Sequence, residues 1–283
     1  MREAGRDFEC FPAPAKLNLF LHVIGRRADG YHLLQSVFRF IDFADDVRLR
    51  VRTDGLIHRV TDLARVPPEQ DLCVRAAWAL KKASGSPLGV DIGLAKRLPM
   101  GGGLGGGSSD AATVLLALNR LWDVNFPREA LQALALGLGA DVPVFVFGQS
   151  AFAEGVGERL CAVDLPAAWY VVLAPRAHVS TAAVFASQEL TRDTKPIKIP
   201  DFSAGCGRND LEPVVCAAYP EVARHLAWLK QHGPARMTGS GACVFAPFES
   251  EARAREVASN LPPAIEAVVA RGLDRHPLWA FAS

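Results

Sequence analysis

No two cysteines in the chain stand close enough to clamp a metal or form a redox dithiol. The six, Cys10, Cys73, Cys161, Cys206, Cys216 and Cys243, are scattered without a C-x-x-C spacing, which excludes a zinc knuckle and suits a reducing compartment, the cytoplasm. A surplus of one charge is also missing: 31 Lys and Arg stand against 30 Asp and Glu, a net charge of +1. Bulk attraction to nucleic acid or to an anionic membrane is thereby excluded, so any anion must be held by a local arrangement of groups. Nor is there a long apolar run. The most membrane-like stretch, residues 130–147, is broken by Gln132, Asp141, Pro143 and two glycines, and reads as a short buried helix followed by a strand. Residues 1–11 alternate charges where an export signal needs an apolar core, so no signal peptide is expected. With 50% hydrophobic and 22% charged residues, disorder and collagen-like repeats are excluded, and 283 residues suggest two domains.

Leu17, Leu19, Leu21 and Val23 recur with period two, as a half-buried strand requires, which places Lys16 and Asn18 together on the other face. Val47 to Arg52 repeats the alternation with arginines outward, the pattern of an antiparallel strand wet on one side. Ala76, Ala79, Leu80 and Ala83 have helical spacing, as do Leu131, Leu134, Ala135 and Leu138, while Val90, Ile92 and Leu94 alternate. Further on, residues 169–174 read as a buried strand, Val222, Leu226 and Leu229 as one helix face, and Ala254, Val257, Ala258 and Leu261 as another. Strands and helices mix without regular βα alternation, so the fold class is α+β.

Six of the seven residues from Gly101 to Gly107 are glycine, and an apolar run rich in helix formers follows to Trp122. Without side chains, backbone N–H groups can converge on a polyanion, and the positive end of the following helix, capped by Ser108 or Ser109, points to the same place. A Walker loop is excluded because no lysine follows the second glycine of any candidate. Gly101-x-Gly103-x-x-Gly106 satisfies the dinucleotide pattern literally. The Rossmann unit, however, needs a strand ending in an acidic residue about 20 positions later, and Asp123-Val-Asn-Phe-Pro127 is not that strand.

Residues Pro99 to Ala112 resemble the phosphate-binding motif of the galactokinase, homoserine kinase, mevalonate kinase and phosphomevalonate kinase (GHMP) superfamily of ATP-dependent small-molecule kinases. Pro14 to Leu21 resembles its first motif and Thr238 to Phe245 its third. Ala28 to His32, Gly139 to Phe145, Ala153 to Glu158 and Asn209 to Glu212 narrow the resemblance to the branch acting on a cytidine-diphosphate-linked sugar alcohol. The resemblance implies a two-domain α+β GHMP-kinase-like fold. Residues 1–155 would form an N-terminal ATP-binding and catalytic domain with ribosomal-protein-S5-like topology, and residues 156–283 a C-terminal, ferredoxin-like α/β-sandwich domain that binds substrate. It also implies ATP as co-substrate, Mg²⁺ with no protein ligand nominated, and phosphorylation of the alcohol's 2-hydroxyl in the non-mevalonate isoprenoid route, with no nucleic-acid or membrane partner.

An alcohol kinase must hold the hydroxyl in line with the γ-phosphate, take its proton and neutralise charge on the transferring group. The resemblance implies Asp141 as base, Lys16 as its electrostatic partner and Asn18 as a substrate contact. Read alone, Asp141 before Val-Pro is a turn residue and Lys16 a strand lysine. Tyr31 and His32 follow the turn dipeptide Asp29-Gly30 and project from a loop edge. The resemblance assigns them to the cytidine pocket, Tyr31 stacking on the base and His32 bonding its polar edge, with Phe185 as second aromatic and Thr181 nearby. Val184-Phe185 also reads as core. Pro99, Met100, Gly101, Gly102, Gly103, Leu104, Gly105, Gly106, Gly107, Ser108 and Ser109 would carry the ATP phosphates, with the Thr238–Ala242 loop closing near them. Asp110 reads as a capping and dipole residue rather than a metal ligand. Three features depart from the family pattern: Asp71-Leu72 stands where Asn-Leu is usual on the adenine side, residues 192–207 have no counterpart, and His22, at an often aromatic position, reads as a satisfied structural histidine.

Overall fold

Alternation in the first fifty residues builds two long strands, β1 (Glu9–Arg26) and β2 (His32–Arg52), paired antiparallel. The computed structural model describes residues 7–63, 66–199, 202, 207–262 and 265–282; Cys206, the first six residues and part of 192–207 lie outside the described residues. β2 is the hub of the sheet. Along its length it also pairs antiparallel with β4 (Gly89–Ala95), β5 (Ala151–Glu154) and β10 (Ala267–Leu273). The arginine alternation behaves as expected, with Val47 and Leu49 buried and Arg48 exposed. One parallel pair, β3 (Ile57–Arg59) with β4, makes the sheet mixed.

Four helices cover this half of the sheet: α1 (Leu72–Ser84), α2 (Gly106–Leu121), α3 (Arg128–Leu136) and α4 (Val142–Phe147). Their core contains Phe40, Leu49, Leu80, Ile92, Leu115 and Phe145, each under 2% exposed. Burying one such side chain contributes roughly 1.5–3 kcal/mol. α2 is buried without interruption from Ser109 to Asn119, as a central helix must be. The Asp71 departure is a cap: its carboxylate accepts from Cys73 N at 2.7 Å at the start of α1 and pairs with Arg59 at 2.9 Å.

Beyond β5 and β6 (Arg159–Ala162), a second core forms on β7 (Trp169–Leu173), β8 (Arg236–Met237), β9 (Val244–Phe248) and β10. Helices α5 (Thr181–Ala186), α6 (Glu212–Ala218), α7 (Pro220–Lys230) and α8 (Glu251–Ser259) accompany it, and Val222, Leu226, Leu229, Ala254 and Val257 are buried as their spacing requires. The strand order β3-β4-β2-β10-β7-β9-β8 joins both halves, and Leu278 and Ala282 near the end of the chain return to the first core. Among the described residues no helix is long and apolar enough to cross a membrane, and Cys10, Cys73, Cys161, Cys216 and Cys243 are free.

Three local expectations need correction. Val144 to Phe147 is helix α4, not a strand: a four-residue apolar run has no periodicity that separates the two, Pro143 presets the first helical turn, and Gly148 at φ +74° ends it. The leucine alternation in β1 does not hold throughout, because register shifts between Pro14 and Ala15 and between Asn18 and Phe20 re-aim the chain. Leu17 therefore packs with Tyr170 and Phe245, whereas Leu21 and Val23 pack with Val171 and Leu173. His22 is only half satisfied: Nε2 accepts from Arg208 N at 3.2 Å, while Nδ1 is buried without a partner.

Candidate active site

The β1 register shifts bracket Lys16-Leu17-Asn18, and both polar side chains are buried, Lys16 at 2% and Asn18 at 3% exposure. Burying an ammonium requires partners. Lys16 Nζ donates to Asn18 Oδ1 at 2.5 Å, lies 3.4 Å from Asp141 Oδ2, and stands 5.5 Å from the centroid of the Phe38 ring. Asn18 is itself held: Nδ2 donates to Ser36 Oγ at 2.8 Å, and Ser36 Oγ donates to Phe20 O at 2.6 Å. Asp141 sits directly before α4, and its side chain keeps 40% exposure toward solvent. A fixed cation thus sits beside a carboxylate that a substrate can reach.

The glycine loop approaches from the other side. Gly101, Gly103 and Gly105 adopt φ of +70°, +76° and +74°, left-handed positions that glycine alone takes without strain and that let successive amides turn toward one anion. Helix α2 starts earlier than expected, with Gly105 as its N-cap; Ser109 instead donates through Oγ to Pro14 O at 2.7 Å. The glycines also serve packing. A Cβ on Gly103 would lie 2.2 Å from Thr238 O, and one on Gly102 would lie 2.7 Å from Cys243 Sγ. Thr238, fully buried, bridges the parts: Oγ1 accepts from Asn18 N at 3.0 Å and donates to Gly103 O at 3.3 Å. Lys16 N donates to Leu104 O at 2.9 Å, a second tie between strand and loop.

Asp110 does not cap α2. It is buried and accepts from Lys96 Nζ at 2.5 Å, and Lys96 also bonds Asp45. Asp45 accepts further from Leu98 N at 2.8 Å, fixing the chain just before Pro99. Burial pushes the Asp110 carboxyl up to about 7, with Lys96 pulling the other way. Lys96 rises too: its own burial works downward, but Asp110 and Asp45 outweigh it.

Three cavities line up along this structure. One of about 220 Å³ is lined by Leu72, Lys96, Leu98, Pro99, Met100 and most of the glycine loop to Ser108. It shares Gly101, Gly103 and Ser108 with a cavity of about 370 Å³ that contains Lys16, Asn18, Asp141 and Thr181. That second cavity shares Leu34, Ala140, Val156 and Phe185 with a third, about 570 Å³, lined by Tyr31 and His32. Tyr31 is 65% exposed, and His32 stacks on Phe185 at 4.9 Å between centroids. Thr181 Oγ1 lies 2.6 Å from Ser240 Oγ of the loop after β8. Of the anticipated loop residues, Leu104 and Ser109 turn their side chains into the protein, Leu104 into the core beside Leu17. Sequence reasoning missed Ser36 and Asp45, which carry no local signal, and Lys96, a cation three residues before the loop that could have been weighed. Among the described residues no group of three or more His, Cys, Asp or Glu is arranged for a metal ion.

Family models match on both halves of the chain, "GHMP kinases N terminal domain" over residues 71–149 and "GHMP kinases C terminal" over residues 189–265. The chain is 67% identical to a 4-diphosphocytidyl-2-C-methyl-D-erythritol kinase of Thiobacillus denitrificans, covering 96% of this chain and 98% of that protein. It is 56% identical, over the full length of both, to the kinase of the same name from Burkholderia pseudomallei. A crystal structure of 4-(cytidine 5'-diphospho)-2C-methyl-D-erythritol kinase superposes with a TM-score of 0.80 at 36% identity, over 93% of this chain and 99% of that one. A homoserine kinase at 16% identity shares the fold, with a TM-score of 0.66. The chain therefore belongs to the 4-diphosphocytidyl-2-C-methyl-D-erythritol kinase family of GHMP kinases.

Proposed function

We propose that the chain transfers the γ-phosphoryl group of ATP to the 2-hydroxyl of 4-diphosphocytidyl-2-C-methyl-D-erythritol, with Asp141 as base and Lys16 as its electrostatic partner. The observation that carries this reading is the 3.4 Å pairing of Lys16 with Asp141 in a cavity that shares one wall with the glycine loop and another with an aromatic pocket. An isolated aspartate, with a pKa of about 3.9, is a weak base for an alcohol in water. Beside a buried ammonium, the alcoholate is stabilised as it forms, so the proton moves to Asp141 while charge builds on the acceptor oxygen. Amides between Gly101 and Ser108 hold the triphosphate, framed by Pro99, which has no N–H, and by Ser109, whose N–H donates to Gly105 O at 2.8 Å. Asn18 and Thr181 hold the acceptor, and Tyr31, His32 and Phe185 hold the cytosine.

Ser108 lines both the loop cavity and the catalytic cavity, and its hydroxyl is the hard oxygen that suits Mg²⁺, an ion that takes most ligands from phosphate and water. Bound there with ATP, the ion would neutralise phosphate charge. Residues 1–155 would form the ATP-binding and catalytic domain and residues 156–283 the substrate-binding domain, with Leu278 and Ala282 at its end packing back into the first core; Thr181, Phe185, Gly239 and Ser240 complete the catalytic cavity from the second.

The test is a coupled assay with ATP and two acceptors, the cytidyl alcohol and the same sugar alcohol phosphate without cytidine. The expected result is turnover confined to the cytidyl compound. Equal turnover of both would remove the base pocket from the reading.

A further inference from the structure

Arg192 is part of no motif, yet its guanidinium makes four hydrogen bonds at the edge of the aromatic pocket. Nε donates to His32 Nε2 at 3.2 Å, one terminal nitrogen donates to Leu190 O at 3.1 Å, and the other donates to Phe185 O at 2.9 Å and Ser187 O at 2.6 Å. One side chain thereby ties the His32 ring to the backbone of Phe185, the residue whose ring stacks on it at 4.9 Å and lines the same 570 Å³ cavity.

A guanidinium has only donors to offer. His32 Nε2 must therefore accept, which puts the single proton of the neutral ring on Nδ1, a nitrogen with no hydrogen-bond partner among the described residues. Burial, followed by the charges of Arg192 and Arg26, lowers the pKa of this imidazole below its ordinary value; Asp29 and Tyr31 are the other titratable groups lining the cavity. In its neutral form the ring that lines the cavity therefore carries its one N–H on Nδ1.

We propose that Arg192 is a positioning and specificity-determining residue of the base pocket: by occupying His32 Nε2 it fixes the proton on Nδ1, so the pocket offers a donor that suits the bare ring nitrogen of cytosine and opposes the N–H of uracil. The inference rests on the aromatic cavity being the base pocket. Without Arg192 both tautomers of His32 become available, and the ring can present a lone pair in place of the donor. Discrimination between an acceptor edge and a donor edge is then lost, because each tautomer suits one of them.

The experiment compares native chain with Arg192→Met, which keeps an apolar stem but has no donor. Cytidine 5'-monophosphate and uridine 5'-monophosphate serve as inhibitors competing with the cytidyl substrate. The inhibition constants should differ by about 30-fold or more in the native chain and by no more than about threefold in Arg192→Met, with kcat within about twofold. In ¹⁵N spectra of native chain, His32 should show a protonated Nδ1 and a bare Nε2. In Arg192→Met the two nitrogens should average, and the midpoint of His32 titration should move up as a neighbouring cation is removed. A bare Nδ1 in the native chain overturns the proposal, even if the variant fails to fold. An unchanged inhibitor ratio in Arg192→Met, with Tyr31→Ala raising KM for the cytidyl substrate, overturns it while leaving the base pocket in place. If Tyr31→Ala also leaves KM unchanged, the pocket assignment and the proposal fall together.

Discussion

Gly103→Ala tests whether the glycine loop is held by packing as well as shaped for phosphate. The residue sits at φ +76°, where an L side chain costs roughly 1–2 kcal/mol. The added Cβ would meet Thr238 O at 2.2 Å and Gly241 O at 3.1 Å, backbone atoms that no rotamer change can move aside. The two loops must separate by about 1 Å to reach ordinary van der Waals contact. That separation strains the hydrogen bonds of Thr238 Oγ1 to Gly103 O and from Asn18 N, each contributing about 1 kcal/mol. The combined loss is about 3–4 kcal/mol if the loops stay together, and appears as weaker ATP binding if they part. Urea unfolding and KM for ATP, measured on the same protein, capture both routes. Gly107→Ala is the stability control, since its Cβ meets only Leu72 Cδ1 at 3.9 Å. A Gly103→Ala chain with native urea midpoint and native KM for ATP would refute the loop-packing argument.

Three other outcomes follow from the structure. His276 is buried, and burial, with Arg128 adding to it, lowers its pKa to about 3. Its stabilising contribution is complete above the unfolded value near 6.5 and is lost as pH falls toward 3. The native chain should lose about 2 kcal/mol from this group between pH 7 and 5, and His276→Asn should flatten that slope in urea titrations; equal slopes would contradict the assignment. Asp71→Ala removes the α1 cap and leaves Arg59 buried without its partner, so unfolding free energy should fall by about 3 kcal/mol, and by less in Asp71→Asn, which keeps the cap. Tyr31→Ala should raise KM for the cytidyl substrate about tenfold with kcat and melting temperature nearly unchanged, as expected for an exposed ring that stacks on a base; an unchanged KM contradicts that role.

Much of this candidate site was legible because its residues lie in short contiguous stretches. The glycine run, Lys16 with Asn18, and Tyr31-His32 each announce a local geometry, and the structure brings all three to one cleft. What escaped was set by distant contacts. Whether Val144 to Phe147 forms a strand or a helix depends on the apolar surroundings it enters, which periodicity over four residues does not encode. The register shift after Asn18 divides the leucines of β1 between two cores, and nothing in their spacing signals it. Asp110 looked like a cap from its place near a helix start, but Lys96, fourteen residues earlier, claims it. Arg192 reaches His32 across 160 positions, a pairing that only the folded chain creates.

The claim at the centre of the account is that Asp141, paired with Lys16, takes the acceptor proton. Its most direct test is single-turnover phosphoryl transfer by Asp141→Asn with saturating ATP and cytidyl substrate, alongside binding of both ligands. The rate should fall by about 10²–10⁴ with both affinities within about threefold of native. Transfer within about threefold of the native rate would contradict the claim.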